Sequence, residues 1–296
     1  MRCLKATLRL KAILAFVLAV SSWPGLASAY TCSRTELNSG PSLVWNTRTI
    51  PYFVGSSLLQ SVLGQDEAST MEEVQLSFDA WASVDCSDIE FPFQGVREGL
   101  SAGFSERGGN TNVIVAVSTG WRHDADAIAV TTNAYDANTG IVADADIEVN
   151  AQHFTFVKAV EGCSPSSGYM DLRNTLTHEI GHVIGLDHPP RLRAYKAYTM
   201  YPSAPACETG KQSLEEDDIL GLCTIYPANG ATTPCFPATS ARYIVTSSDD
   251  GFGGCSDLSD ADAHVSAAPR SPVSALLQLS IFLGAAVGLG ATRRRC

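Results

Sequence analysis

His178-Glu179-Ile180-Gly181-His182-Val183-Ile184-Gly185-Leu186-Asp187-His188 places three histidines, one glutamate and two glycines within a short stretch of a 296-residue chain. On an α-helix four residues advance by about 400°, so His178 and His182 project from one face, about one turn apart, and both can reach a single cation. Glu179 points to the flank of that face, where a carboxylate can take a proton from an activated water without being a ligand. Gly185 tolerates positive φ, which lets the helix stop and the chain turn back to bring in His188 as a third ligand. Three protein ligands leave the fourth position of Zn2+ open, the arrangement of a catalytic rather than a structural ion. With His178 at 0° and roughly 100° per residue, Leu172, Leu176, Ile180 and Val183 fall opposite the histidine face. One face of the helix therefore packs while the other binds.

These residues resemble the metzincin clan of zinc peptidases, whose pattern His-Glu-x-x-His-x-x-Gly-x-x-His is matched at all five fixed positions. Thr199-Met200-Tyr201-Pro202 is similar to the Met-turn of that clan and, in its Met-Tyr-Pro form, to the matrixin branch. The resemblance runs from about Trp45 to Pro227. It implies an α+β catalytic domain: a twisted, mostly parallel sheet with an antiparallel edge strand, three main helices, and an active-site cleft across the domain. It also implies Met200 as a hydrophobic floor beneath the histidines, and an edge strand at Ile141–Asn150 lying antiparallel to a bound protein or peptide substrate. The pocket for the side chain after the cleaved bond is expected between the catalytic helix and the segment from His188 to about Glu208. Two other readings use the same residues: a non-catalytic cell-surface binding module on this scaffold, and a structural zinc completed by His153 or a cysteine.

Asp144, Asp146 and Glu148 alternate, so on a strand they share one face. With Asp124 and Asp126 they form a candidate oxygen-ligand set for Ca2+, or else a solvated strand face. Asn133 and Asp146 stand where two histidines of the second, structural zinc of matrixins would align, so no zinc of that kind is expected. His123 and His153 then read as ordinary surface residues.

The ends carry signals of a different kind. Arg2, Lys5, Arg9 and Lys11 precede an apolar run, and Ala27-Ser28-Ala29 fits a cleavage site, so residues 1–29 read as a signal peptide. Residues 30–227 read as the peptidase domain and 228–272 as a linker rich in Ala, Thr, Ser, Pro and Gly. Val273 to Ala291 carries no charge and precedes Arg293-Arg294-Arg295. It is long enough to span a bilayer with the C-terminus cytoplasmic. The tail, 273–296, is also similar to C-terminal sorting signals of some Gram-negative bacteria, which are removed during delivery to the cell surface. Both alternatives export the catalytic domain, and both make membrane contact through this tail, retained or transient.

A net charge of −11 argues against nucleic acid as a partner. Nothing in the pattern calls for a second subunit, so a monomer is expected. Of nine cysteines, Cys3 belongs to the leader; if Cys255 serves sorting and Cys296 is cut away, the remaining six allow fifteen pairings into three bridges. Cys235 and Cys255 are candidates to close a small loop in the linker. Many matrixins block their zinc with a propeptide cysteine, but Tyr30-Thr31-Cys32-Ser33-Arg34 does not match that switch. Cys32 therefore reads as a disulfide partner.

Apolar spacing at Met71, Val74, Phe78 and Trp81 predicts a helix over 70–81, opened by a Thr70/Glu73 capping box. Thr49–Phe53 reads as an edge strand because it holds Pro51. Further strands are expected at 89–93, 113–117 and 127–131, with a loop at 98–112. Asp171 should open the catalytic helix, and Ser213 with Glu216 a closing helix.

Overall fold

The computed structural model describes residues 29–36, 39–158, 163–235 and 289–295. Residues 1–28 of the leader, and most of the linker and apolar tail, 236–288, lie outside the described residues. In chain order the strands are β1 (Thr31–Cys32), β2 (Arg34–Glu36), β3 (Ser39–Ser42), β4 (Tyr52–Gly55), β5 (Phe93–Arg97), β6 (Asn112–Ala116), β7 (Ala129–Asp136), β8 (Val142–Val149), β9 (Thr155–Val157), β10 (Tyr169–Asp171), β11 (Leu186–Asp187) and β12 (Leu289–Arg295). The helices are α1 (Ser56–Ser61), α2 (Glu67–Ala82), α3 (Leu172–Val183) and α4 (Glu216–Ile225).

The main sheet has the order β5-β4-β6-β8-β7, with β12 beyond β7. Its first four strands are parallel to one another, and β7 is antiparallel to β8. This is the mostly parallel sheet with an antiparallel edge strand that the resemblance implies, but the strands are assigned differently. The carboxylate-bearing β8 sits inside the sheet, between β6 and β7, and the antiparallel strand that ends the five-stranded part of the sheet is β7. Along its outer side β7 pairs antiparallel with β12 from Leu289↔Asp136 to Arg295↔Val130. No helix among the described residues is long and apolar enough to cross a membrane.

Local chemistry explains where the elements begin. The helix expected from Thr70 starts at Glu67, because the Asp66 carboxylate caps it by accepting from Ser69 N at 3.1 Å. Thr70 instead turns its hydroxyl back to Asp66 O, and Glu73 is buried against Lys158. Val74, Phe78 and Trp81 supply the buried stripe. Strand β4 starts after Pro51, so the proline costs no ladder bond and the strand can lie between two neighbours. Asp171 caps α3 as expected, accepting from Asn174 N at 2.7 Å. Helix α4 opens at Glu215 rather than Ser213, with Asp218 accepting from Glu215 N.

Among the described residues three bridges form, Cys32–Cys235, Cys86–Cys223 and Cys163–Cys207, with Cα atoms 5.9, 5.5 and 5.8 Å apart. Cys235 is therefore committed to the domain and not to a loop with Cys255. Packing continues past Pro227: Thr233 N donates to Ile225 O, and Cys235 is fully buried.

Candidate active site

Helix α3 is buried on every side rather than on one, and His178, Glu179 and His182 are all closed from bulk solvent. A helix C-terminus leaves its last carbonyls without helical partners. Here His182 O accepts from Asn133 Nδ2 (3.0 Å), Val183 O from Trp45 Nε1 (2.8 Å) and Ile184 O from the Tyr226 hydroxyl (3.0 Å). The end of the helix is thus fixed by three side chains from separate elements.

Gly185 then adopts φ +92, and a Cβ there would collide with Leu43 O. The turn it makes sends β11 back against β1 and delivers His188. The His188 Nε2 atom lies 3.1 Å from both His178 Nε2 and His182 Nε2. Among the described residues, these three form the only group of three or more His, Cys, Asp or Glu side chains close enough to hold one ion.

The donor chemistry fits zinc. His178 Nδ1 lies 2.6 Å from Thr199 O, and His182 Nδ1 lies 2.9 Å from Leu186 O. A carbonyl only accepts, so each Nδ1 carries its proton and each Nε2 presents a lone pair. Lone pairs facing one another at 3.1 Å repel unless a cation shares them, and nitrogens on a tetrahedral zinc stand about 3.3 Å apart. Burial, then the charge of His182, pushes the His178 pKa well down. The neutral, metal-binding form of the ring is the one this site favours.

The turn at Thr199–Met200 closes the site from below. Asp218, buried on α4, accepts from Thr199 N (2.8 Å) and Met200 N (3.2 Å), and burial raises its pKa. Through Thr199 this carboxylate sets the carbonyl that orients His178. The Met200 thioether packs so tightly onto α3 at Gly181 that a Cβ on residue 181 would collide with its sulfur. A side chain at the fourth position of the motif would have to displace that thioether, a requirement the ligand pattern itself does not carry.

Sequence reasoning also missed Thr131, Asn133 and Lys211. Thr131 Oγ1 donates to Glu179 Oε2 at 2.6 Å, so β7 reaches the flank carboxylate directly. Thr131 and Asn133 share one face of β7, and their period-two spacing is the signal that could have found them. Beside His178 and Glu179 a pocket of about 260 Å3, counting the open solvent at its mouth, runs along α3 and Tyr201–Ala204, where the substrate pocket was expected, and Lys211 also lines it.

The candidate calcium ligands do not converge among the described residues. Asp146 accepts from Gly103 N (2.7 Å) and Val113 N (3.1 Å), and Glu148 takes Arg122 and His123. Asp124 and Asp126 stay exposed, with Asp124 Oδ1 accepting from Asp126 N. Nor is β8 a solvated face: Asp144 and Asp146 are each 2% exposed. His123 is not a surface residue, since its side chain is 1% exposed with Nε2 2.8 Å from Glu148. The loop before β6 supplies the Gly103 amide to Asp146, β6 supplies that of Val113, and the segment at 121–124 brings Arg122 and His123 to Glu148.

Burial pushes the Asp144 pKa up to about 6 and that of Asp146 to about 7. A carboxyl whose folded pKa is raised stabilises the fold below its unfolded pKa and loses that contribution as pH rises through the folded value. Asp144→Asn should therefore be neutral near pH 4 and stabilising by about 1–3 kcal/mol at pH 8. Urea melts of both metal-stripped proteins at the two pH values check this, and equal midpoints at pH 8 would contradict it.

A family model described as matrixin matches residues 45–227. Among curated proteins the chain is similar to Metalloendoproteinase 1 of Glycine max, with 30% identity over 156 residues, 53% of this chain and 41% of that protein. The chain thus spans less than half the length of that relative.

Proposed function

Since the chain belongs to the matrixin family, we propose that it is an exported zinc endopeptidase whose ligands are His178, His182 and His188 and whose general base is Glu179. The convergence of three Nε2 atoms beside a buried carboxylate that is not among the ligands carries this reading. When bound, zinc would polarise the scissile carbonyl and lower the pKa of water from about 15.7 to about 7.

The chain's own residues do the rest. Glu179 accepts a proton at its carboxylate and returns it to the leaving amine, while the Thr131 hydroxyl, donating at 2.6 Å, fixes the rotamer of that carboxylate. Asn133, Trp45 and Tyr226 hold the end of α3, so the two helical histidines keep their spacing during turnover. Thr199 and Asp218 hold the His178 ring. Strand β7 already takes an antiparallel strand of the chain along its outer side, which supports it as the edge for an extended peptide. The tail beyond residue 235 would attach the domain to a surface or serve its delivery there.

The test is chelator-sensitive proteolysis. Unfolded casein should be cut by the zinc-loaded protein, cutting should stop after chelation, and zinc should restore it. Chelator-resistant binding to a cell-surface partner, with no hydrolysis under any condition, would instead support the non-catalytic module.

A further inference from the structure

A strand inside a sheet engages its backbone groups on both sides, whereas the last strand keeps one row of N–H and C=O groups free to pair with another segment. On its inner side β7 pairs with β8 from Ala129↔Val149 to Tyr135↔Val142. Its outer row is taken by β12, residue for residue, from Val130 to Asp136. The register brings this contact to the catalytic groups. Arg294 stands opposite Thr131, whose hydroxyl meets Glu179, and Thr292 stands opposite Asn133, which holds the end of α3. Because β12 runs antiparallel to β7, its later residues rather than Leu289 lie at the Glu179 end of the pairing.

From this register we propose that residues 289–295 are an internal occupant of the peptide-binding edge, and that the intact chain blocks itself until this strand leaves β7. The proposal rests on the peptidase reading for the meaning of that edge. Two strands cannot share one row of backbone groups, and neighbouring strands lie only about 4.8 Å apart, so an extended substrate meets β12 before it meets β7. At up to about 3.3 Å per residue, the chain from 236 to 288 is long enough to reach β7 from Cys235. Occupant and site belong to one chain, so the competition runs at an effective concentration of about 1 mM whatever the protein concentration.

The same strand is suited to leave. Past Leu289 it reads Gly290-Ala291-Thr292-Arg293-Arg294-Arg295, with no large apolar residue. Its hold is therefore mainly backbone hydrogen bonds, each of modest net worth because water competes for the same groups. Leu289 to Ala291 also close the uncharged run that is long enough to span a bilayer. Those residues cannot lie on β7 and in a membrane at once, so insertion of the tail frees the edge, as does its removal. Cys32 is tied to Cys235 and is not available to cover the metal; the strand closes the approach instead.

The full chain carrying Thr292→Pro and Arg293→Pro together tests this. Adjacent residues of a strand point their N–H groups to opposite sides, so one of the two prolines removes a donor facing β7. On uncharged quenched-fluorescent peptides the KM of the zinc-loaded variant should fall about tenfold at unchanged kcat, the release expected when an occupant of about 0.1 mM affinity is lost. Thr292→Val, which keeps a strand former, should stay blocked. KM does not depend on the folded fraction, so a weaker preparation does not imitate the effect. Binding gives a readout without chemistry. A fluorescein-labelled octapeptide should bind the Glu179→Ala chain about tenfold tighter by anisotropy once the two prolines are added, and an acetylated, amidated peptide of residues 289–295 should reverse that gain. Equal KM and equal binding with and without the prolines overturn the self-block. Tighter binding with no hydrolysis by any variant keeps the self-block and overturns the peptidase reading.

Discussion

Glu179→Ala should keep a full complement of zinc while peptide hydrolysis falls by about 10²–10⁴-fold, the usual contribution of a positioned acid–base group. The two halves of this expectation come from different parts of the geometry. The ligand atoms are all imidazole nitrogens, oriented by Thr199 O and Leu186 O, and neither carbonyl depends on the Glu179 side chain. The carboxylate itself meets the Thr131 hydroxyl on β7, so its loss removes a proton carrier rather than a ligand. Alanine favours helix, so α3 should persist. Metal analysis of the purified variant, together with its rate on a peptide substrate, checks both halves. A rate within tenfold of the unaltered chain would remove Glu179 from the proposed mechanism.

His188→Ala should weaken zinc binding by more than the 10–100-fold typical of removing an outer partner, and activity should fall to background. This ligand is the informative one to remove. His182 is fully buried in the helix, so its replacement would mix a packing defect with the loss of a ligand, whereas His188 is half-buried on the returning chain. Without it two helical imidazoles remain, enough for weak binding only. A competition titration against a zinc chelator measures the change. Affinity equal to that of the unaltered protein would mean that His188 is not a ligand, and the three-histidine site would have to be given up.

The zinc motif was legible because its geometry is local. His178 and His182 are related by helix periodicity, as is the buried stripe on α2, and Gly185 marks the turn because glycine tolerates positive φ. What could not be read is what arrives from far away. Thr131 lies 48 residues from Glu179, Asn133 lies 49 from His182, and Lys211 lies 37 from Asn174. No periodicity links such pairs, and only the sheet order brings them together. The carboxylates of β8 misled for a related reason. Alternation of charge reads as a wet strand face, and the amides of Gly103 and Val113 that satisfy Asp146 belong to segments whose position the pattern does not reveal. Disulfide pairing stayed open on the same grounds.

The bridge between Cys32 and Cys235 also decides how the domain bears force. Tension along the polypeptide beyond residue 235 meets a covalent knot at Cys235 and passes to Cys32, next to the short ribbon that β1 makes with β11. There Cys32 faces Leu186 and the Thr31 hydroxyl donates to His188 O, so a load on residue 235 is carried to the segment that presents the third histidine.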